Sequence, residues 1–352
     1  MKNGIVSTYC ERDSYGSIFQ AMALRHVLLG LECESTILKL RQPGDPRKVE
    51  FKMPRSPGQC VIMANRVWNR KKIERRFTNT LDFMEQNVQI RQFESYEELK
   101  NTPLCADFYL AGSDQIWHPH LCNPMFFLDF VESGKRASYA ASMGVTKIPE
   151  DKKQEFCRLL ENISEISVRE EENRQIIAPL VKKTVQVHID PTFLCEPDFW
   201  KTKEKTYNIK KPYILVYPLY WEKNYNVQLK ELHRKTGIPI VSVCNDWMPV
   251  YANCTLYDVD PGQFLWLIAN AEAVVTSSFH GGALSTIYNK KVAIVKNPSS
   301  PSRLQQMQDT LGLKDIAIPD VMAMDTSVYA QVRQTINKEK ERSLRYLKET
   351  LL

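Results

Sequence analysis

The segment Ser277-Ser278-Phe279-His280-Gly281-Gly282 places two hydroxyls, an imidazole and two glycines directly after Val274-Val275-Thr276. That β-branched run reads as a buried strand. Ala283 to Tyr288 then carries a helical pattern that stops at Asn289-Lys290, and Val292 to Val295 is a second apolar run. Strand, glycine turn, helix and strand make one βαβ unit. Free N–H groups and the positive end of the helix dipole at such a turn suit a phosphate or carboxylate. Ser277, Ser278 and Gly281 are therefore candidate anion ligands. His280 should project from the C-terminal edge of the sheet, where open α/β sheets bind ligands. The competing reading is structural, since Gly-Gly at a strand–helix junction also serves close packing.

Two further stretches follow the same logic. Ile166-Ser167-Val168 is a short strand that delivers Arg169 into a turn before Glu170, Glu171 and Glu172. Those carboxylates fit a helix N-terminus, and Arg169 would face a ligand or pair with one of them. Phe108 to Ala111 is a buried strand followed by Gly112-Ser113-Asp114-Gln115-Ile116-Trp117. An indole stacks on a pyranose ring, and Asp with Gln offers paired hydroxyl contacts. The alternative makes Asp114 a helix cap and Trp117 a core residue.

Strands and helices must position these groups, and the whole chain alternates between them. Asn3 to Ser7 is a strand, Asp13 to Ser17 a glycine-containing turn and Ile18 to Leu29 a helix. Without a full GxGxxG this opening does not imply a dinucleotide. Cys195 to Lys211 is polar and interrupted, and reads as a linker. A second series begins at Tyr213 and ends in a long helix from Ser327 to Leu352 after a Pro/Ser-rich loop and the amphipathic stretch Arg303 to Leu311. The expected class is α/β, with two Rossmann-like domains and a cleft between them. The boundaries are 1–195, 196–325 and a terminal helix, 326–352, that packs back on the first domain.

Composition limits the alternatives. With 352 residues, 43% hydrophobic and 25% charged, the chain is that of an ordinary globular protein. Met1 to Cys10 lacks an apolar export segment, and no apolar run approaches the length of a membrane helix, so a cytoplasmic location is expected. Nine scattered cysteines without a CxxC pair point to reduced thiols. No sequence pattern for a metal or a Walker A loop occurs, and a net charge of +6 is weak evidence for nucleic acid. Asn65 to Asn87 reads as a helix with a basic start and an apolar side formed by Trp68, Ile73, Phe77, Leu81 and Met84. It is either a solvated cationic face or a peripheral contact with an anionic lipid surface at the inner face of the membrane.

Taken in order, YGSIFQAMAL, GSDQIWHP, FFLDFV, ASYAASMG, ISVREEENR, HIDPTFL and SSFHGGALSTIYNKKVAIV resemble the polysaccharide pyruvyl transferase family, from about Tyr15 to about Leu313. The resemblance implies a GT-B-like arrangement, phosphoenolpyruvate as donor co-substrate and a sugar acceptor, lipid-linked or otherwise. The implied product is a pyruvyl ketal bridging two hydroxyls of one sugar, formed with release of phosphate and without a metal or other cofactor. By the same resemblance Arg169 and His280 help hold the donor. Some members carry an Arg two residues before that His, where this chain has Ser278; Arg303 is the candidate to supply that cation. The implied donor set is Arg169, Ser277, Ser278, Gly281, Lys296 and Arg303. The acceptor set is Tyr15, Asp114, Gln115 and Trp117. His280 would give a proton or bind phosphate, and Asp114 would orient or deprotonate the acceptor hydroxyl. The alternatives are a GT-B glycosyltransferase that uses a nucleotide sugar and a sugar-binding protein that kept the fold without catalysis.

Overall fold

In the computed structural model of the protein, residues 1–51, 53–132, 134–244, 250–296 and 302–352 are described. The Pro/Ser-rich loop at 297–301 lies outside them. Following the chain, the first lobe comprises β1 (Lys2–Ser7), α1 (Tyr15–Gly30), β2 (Cys33–Leu40), α2 (Pro57–Trp68), α3 (Arg70–Asn87), β3 (Ile90–Phe93), α4 (Tyr96–Asn101), β4 (Phe108–Ala111), β5 (Lys135–Ser138), α5 (Glu150–Leu160), β6 (Ile166–Val168), α6 (Glu171–Ile177) and β7 (Val185–Val187). The second comprises α7 (Pro197–Lys201), β8 (Ile214–Tyr217), α8 (Lys223–Thr236), β9 (Ile240–Val243), β10 (Cys254–Leu256), α9 (Pro261–Asn270), β11 (Ala273–Thr276), α10 (Phe279–Ile287), β12 (Lys291–Ile294) and α11 (Ser302–Leu311); α12 (Tyr329–Leu351) closes the chain.

Both lobes contain a parallel five-stranded sheet with the same order, β3-β2-β1-β4-β5 and β10-β9-β8-β11-β12. Single bridges from Ala137 to Glu165 and from Ala141 to Val168 continue the first sheet into the pair β6-β7. Helices cover both faces, so the central strands are apolar without interruption: all four residues of β4, β8 and β11 are buried. In each sheet the strand order reverses between the first and fourth strands, β1/β4 and β8/β11. Such a switch point leaves a crevice beyond the strand C-termini.

Helix α1 sits at the centre. Ser14 caps it, and Ile18, Phe19, Met22, Ala23 and Leu24 are buried around its circumference, as expected of a helix covered on all sides. One apolar cluster runs from Val6 and Phe108 in the first lobe through α1 to Leu215, Phe264 and Leu284 in the second. The lobes therefore share a core along α1. Helix α12 returns to the first sheet, where Tyr346 donates to the Ser138 carbonyl at 2.9 Å and stacks on His188 with ring centroids 4.4 Å apart.

Local readings differ from the structure in three places. The stretch read as a linker carries α7, and Trp200 within it is fully buried against Phe19. The helix expected from Asn65 to Asn87 is two helices broken at Asn69, whose Nδ2 donates to the Asn65 carbonyl. Ile73, Phe77 and Met84 face the core, but Trp68 ends the first of the two helices and is 89% exposed. The run Arg136 to Met143 reads as one strand from its residues alone, yet β5 ends at Ser138, because Ala140 turns left-handed at φ 48°.

Candidate functional site

The strand C-termini of both sheets open toward the contact between the lobes. β6 delivers Arg169, β7 leads to Asp190, β4 leads to Asp114 and Gln115, and β11 leads into the first turn of α10 with His280. Arg169 is buried. Its Nε donates to Glu170 Oε1 at 2.8 Å and its Nη1 to Asp190 Oδ2 at 2.7 Å. Its guanidinium carbon lies 4.3 Å from the centre of the Phe279 ring. Nη2 has no partner among the described residues. Burial opposes its charge, yet Glu170 and Asp190 outweigh burial and hold its pKa above the usual arginine value.

Asp190 is the hub of this cluster. Oδ1 accepts from the Thr192 N–H at 3.0 Å and from its hydroxyl at 2.8 Å. Oδ2 accepts from Arg169 and, at 3.2 Å, from the Ser113 hydroxyl. It also lies 3.4 Å from His280 Nε2, too poorly aligned for a hydrogen bond, so that nitrogen stays unpartnered among the described residues. Burial pushes the Asp190 carboxyl up, but His280, Arg169 and the Thr192 N–H overcome it and keep the group ionised. Glu170 is fixed in turn by Asn173 Nδ2. The imidazole of His280 packs on Gly16 at the start of α1: a Cβ there would stand 2.2 Å from Nδ1. Glycine at 16 is what allows the first turns of α1 and α10 to meet.

Arg303 approaches from α11. With the Gln115 amide turned so that its oxygen faces the guanidinium, that oxygen accepts from Nη1 at 3.2 Å and Nη2 at 3.1 Å. Gln115 itself fits because Gly144, at φ +68°, has no Cβ to meet the end of its side chain. Arg303 makes no ion pair among the described residues, and its Nε is sealed from solvent without a partner. Burial first, and the neighbouring Arg169 second, lower its pKa. Asp114, half-buried and left-handed at φ 72°, contributes negative potential to both arginines. A cavity of about 40 Å³ is bounded by Arg169, Asp190, Phe279, Arg303 and Met307. That is room for a few waters, so a larger ligand requires its walls to move.

Several expected ligands are engaged elsewhere. Tyr15 is 1% exposed, packs against Tyr217 and Phe264, and donates to the Val259 carbonyl at 2.5 Å; it joins the lobes rather than facing a ligand. Trp117 is fully buried on Phe127 and donates to the Phe126 carbonyl at 3.0 Å, so the core reading of that indole holds. The Ser277 hydroxyl accepts from the Leu219 and Tyr220 N–H groups at 2.8 Å and donates to the Tyr220 carbonyl, tying the two loops of the second switch point. Ser278 Oγ caps α10 by accepting from the Gly281 N–H at 3.2 Å, which occupies one of the N–H groups expected to bind an anion. Lys296 is committed to Asp315 at 2.6 Å and to Gln305. The structure thus brings together Arg169, His280, Arg303, Asp114 and Gln115, and turns Tyr15, Trp117, Ser277, Ser278 and Lys296 to other uses.

Sequence reasoning passed over Asp190 and His118, whereas Glu170 is the glutamate partner that the alternative reading of Arg169 expected. Asp190 stands in HIDPTFL, and its only local signal is its place after a strand. His118 lies in GSDQIWHP; its Nδ1 is buried without a partner among the described residues, and burial, His120 and Arg303 lower its pKa. Among the described residues no group of three or more His, Cys, Asp or Glu is placed to hold a metal.

Two parallel-sheet lobes of one strand order, with charged side chains gathered where their switch points meet, define a protein of the GT-B class. Solved structures with this fold are similar over their full length. They include UDP-GlcNAc 2-epimerase from Neisseria meningitidis bound to UDP-GlcNAc (TM-score 0.56, 12% identity, covering 100% of this chain and 99% of that one). The UDP-GlcNAc 2-epimerase from Methanocaldococcus jannaschii gives TM-score 0.53 at 12% identity, covering 99% and 100%. Spinosyn forosaminyltransferase SpnP gives 0.52 at 9%, covering 99% of each chain. At such identities the likeness is one of fold. A search of curated proteins finds no match. The family model for polysaccharide pyruvyl transferase matches residues 15–300, and the chain belongs to that family.

Proposed function

We propose that the protein transfers pyruvate from phosphoenolpyruvate to two hydroxyls of a sugar in a glycan or glycan precursor, forming a ketal and releasing phosphate. The observation that carries this reading is the pairing of Arg303, which has no carboxylate partner among the described residues, with the unpartnered Nη2 of Arg169 beside one small cavity. Two guanidinium groups with open donors suit a small ligand that bears both a phosphate and a carboxylate.

The chemistry then assigns roles. One sugar hydroxyl adds to C2 of the enol while a proton goes to C3. The C2–O bond to phosphate breaks, and the second hydroxyl captures the resulting oxocarbenium centre. Of the two hydroxyl protons, one ends on C3 and one leaves with phosphate. His280, backed by Asp190, carries the proton to C3 or meets the departing phosphate. Asp114 and Gln115, on the loop after β4, face the acceptor, and Asp114 takes a hydroxyl proton. Arg303 and Arg169 stabilise the charge that accumulates on phosphate.

Phosphate release from phosphoenolpyruvate, measured against a panel of sugars, tests the proposal. Release should depend on a sugar and should fall at least about 100-fold in His280→Ala. Near-wild-type turnover in that variant would overturn the assignment. A melting temperature raised by a nucleoside diphosphate sugar but not by phosphoenolpyruvate would favour a glycosyltransferase instead. A cytoplasmic site of action follows from the donor, which is an intracellular metabolite class; among the described residues no helix is long and apolar enough to cross a membrane.

A further inference from the structure

Of the stretches of this chain that carry no Asp or Glu, the one richest in basic residues lies between Glu50 and Glu74. Between Phe51 and Ile73 there are six Lys and Arg and no Asp or Glu. Setting those six aside leaves 41 basic residues against 41 acidic ones, so the surplus of this segment equals the net charge of +6. Among the described residues, the segment also holds five of the seven exposed large apolar side chains of the first lobe, the others being Met1 and Leu121. Met53 is 87% exposed, Trp68 89%, Val67 56%, Val61 46% and Phe51 44%.

Helix α2 explains how they come together. None of its residues is buried. Val61, Ala64 and Trp68 repeat at helical spacing on its exposed side, with Val67 beside them. The opposite side is half-buried, and Asn65 Nδ2 donates to the Tyr257 hydroxyl at 3.0 Å, which anchors the helix to the second lobe. The helix is therefore held with its apolar stripe outward. Arg55 precedes it, and Arg70, Lys71 and Lys72 follow Trp68 directly. Arg70 is paired with Glu74, whereas Lys71 and Lys72 make no ion pair among the described residues. A groove of about 640 Å³ beside the stripe is lined by Phe51, Met53, Arg55, Ile62 and Met63, with Glu50 at its edge.

From this geometry we infer that α2 and the start of α3 form a docking surface for an anionic lipid bilayer, with Met53, Val61, Val67 and Trp68 entering the interfacial zone and Arg55, Lys71 and Lys72 meeting lipid phosphates. Trp combines a large apolar ring with one N–H and concentrates at membrane–water boundaries. Lysine is depleted in protein–protein interfaces, whereas a compact ammonium on a flexible stem suits a fluid layer of phosphates. Arg12, just ahead of Gly16 in the chain, lies 4.2 Å over the Phe77 ring of α3, so the surface adjoins the loop that reaches the candidate site. A bilayer bound here would bring the site close to a lipid-borne acceptor. The inference does not depend on which donor the site uses.

The test is co-sedimentation of the full chain with vesicles of phosphatidylcholine alone or mixed with phosphatidylglycerol. The protein should pellet with the mixed vesicles only, and high salt should release it. Replacing both lysines (Lys71→Gln with Lys72→Gln) should weaken partitioning roughly 25-fold, at roughly fivefold per cation. Trp68→Ser should weaken it as well and remove a blue shift of tryptophan emission seen on binding. These side chains are exposed, so unchanged melting temperatures serve as the folding control; Val61→Ser is the substitute should Trp68→Ser misfold. Equal binding to neutral vesicles, or binding to neither, would overturn the inference. So would self-association seen by light scattering that Trp68→Ser abolishes, which would assign the stripe to a second copy of the chain.

Discussion

Asp190 Oδ2 lies 3.4 Å from His280 Nε2, although one residue follows the last strand of the first lobe and the other opens α10 in the second. The same oxygen accepts from Arg169 at 2.7 Å. One buried carboxylate therefore sets the distance between a guanidinium and an imidazole carried by different sheets.

Asp190→Asn keeps the shape of this hub and removes its charge. Among the described residues, Arg169 is then left with Glu170 as its only ion-pair partner. Because removing one partner of a buried pair costs about 3–5 kcal/mol, chemical denaturation should show a loss near the lower end of that range. The sign with pH follows from the depressed carboxyl. Its stabilisation is complete above the unfolded value of about 4 and is lost as pH falls below it, so the variant should lack that part of the acid sensitivity. An unchanged acid limb would contradict this.

Arg303 should behave in the opposite way. Replacing it with Met removes a cation that has no carboxylate partner among the described residues and whose pKa burial lowers. Stability should rise by about 1 kcal/mol, while donor-dependent turnover falls roughly 10- to 100-fold for the lost charge-assisted bonds. Thermal unfolding and a phosphate-release assay on the same sample separate the two effects. A loss of both would make Arg303 a structural residue.

Gly16→Ala tests the meeting of α1 and α10. The added Cβ would stand 2.2 Å from His280 Nδ1, so the ring must shift. Overpacking of this kind costs about 1–3 kcal/mol. Turnover should fall at least about tenfold, because a displaced imidazole no longer meets the reacting atoms. A variant with wild-type kinetics would mean that His280 tolerates movement and does not carry the proton.

A second imidazole, two residues before Asp190, gives a pH prediction. His188 is buried beside Tyr346 of α12, its Nδ1 2.8 Å from the Ser167 hydroxyl, and burial followed by Arg342 lowers its pKa to about 4. The unfolded imidazole takes up a proton below about 6.5, while the folded one stays neutral until about 4. Unfolding is therefore favoured progressively as pH falls through that window, by up to about 3 kcal/mol at its lower end. His188→Gln should flatten stability between those limits in equilibrium denaturation. An unaltered slope would show that another group controls it.

Much of the architecture was legible in the amino-acid order. Continuous apolar runs at Phe108 to Ala111 and Val274 to Thr276 mark strands covered on both faces, and their alternation with helices dictates two parallel sheets. Since the strands of each sheet run the same way, the residues after them, Asp114 and Arg169 in the first lobe and His280 in the second, must stand at the C-terminal edge of their own sheet. Local sequence carries that much because strand direction and strand ends are local properties.

Side-chain direction and partnership were decided only in three dimensions. Tyr15 and Trp117 stand in turns that look ligand-facing, yet each turns into a core built from distant segments: Tyr217 and Phe264 for one, Phe127 for the other. Ser278 became a cap because its own helix had an open N–H within reach. Asp190 and Arg303 acquired their roles from charges far away in the chain: one carboxylate is held between two lobes, and one guanidinium has no carboxylate partner among the described residues. Burial and electrostatic balance sum over everything that packs around a group, so they belong to the assembled fold and not to any stretch of sequence.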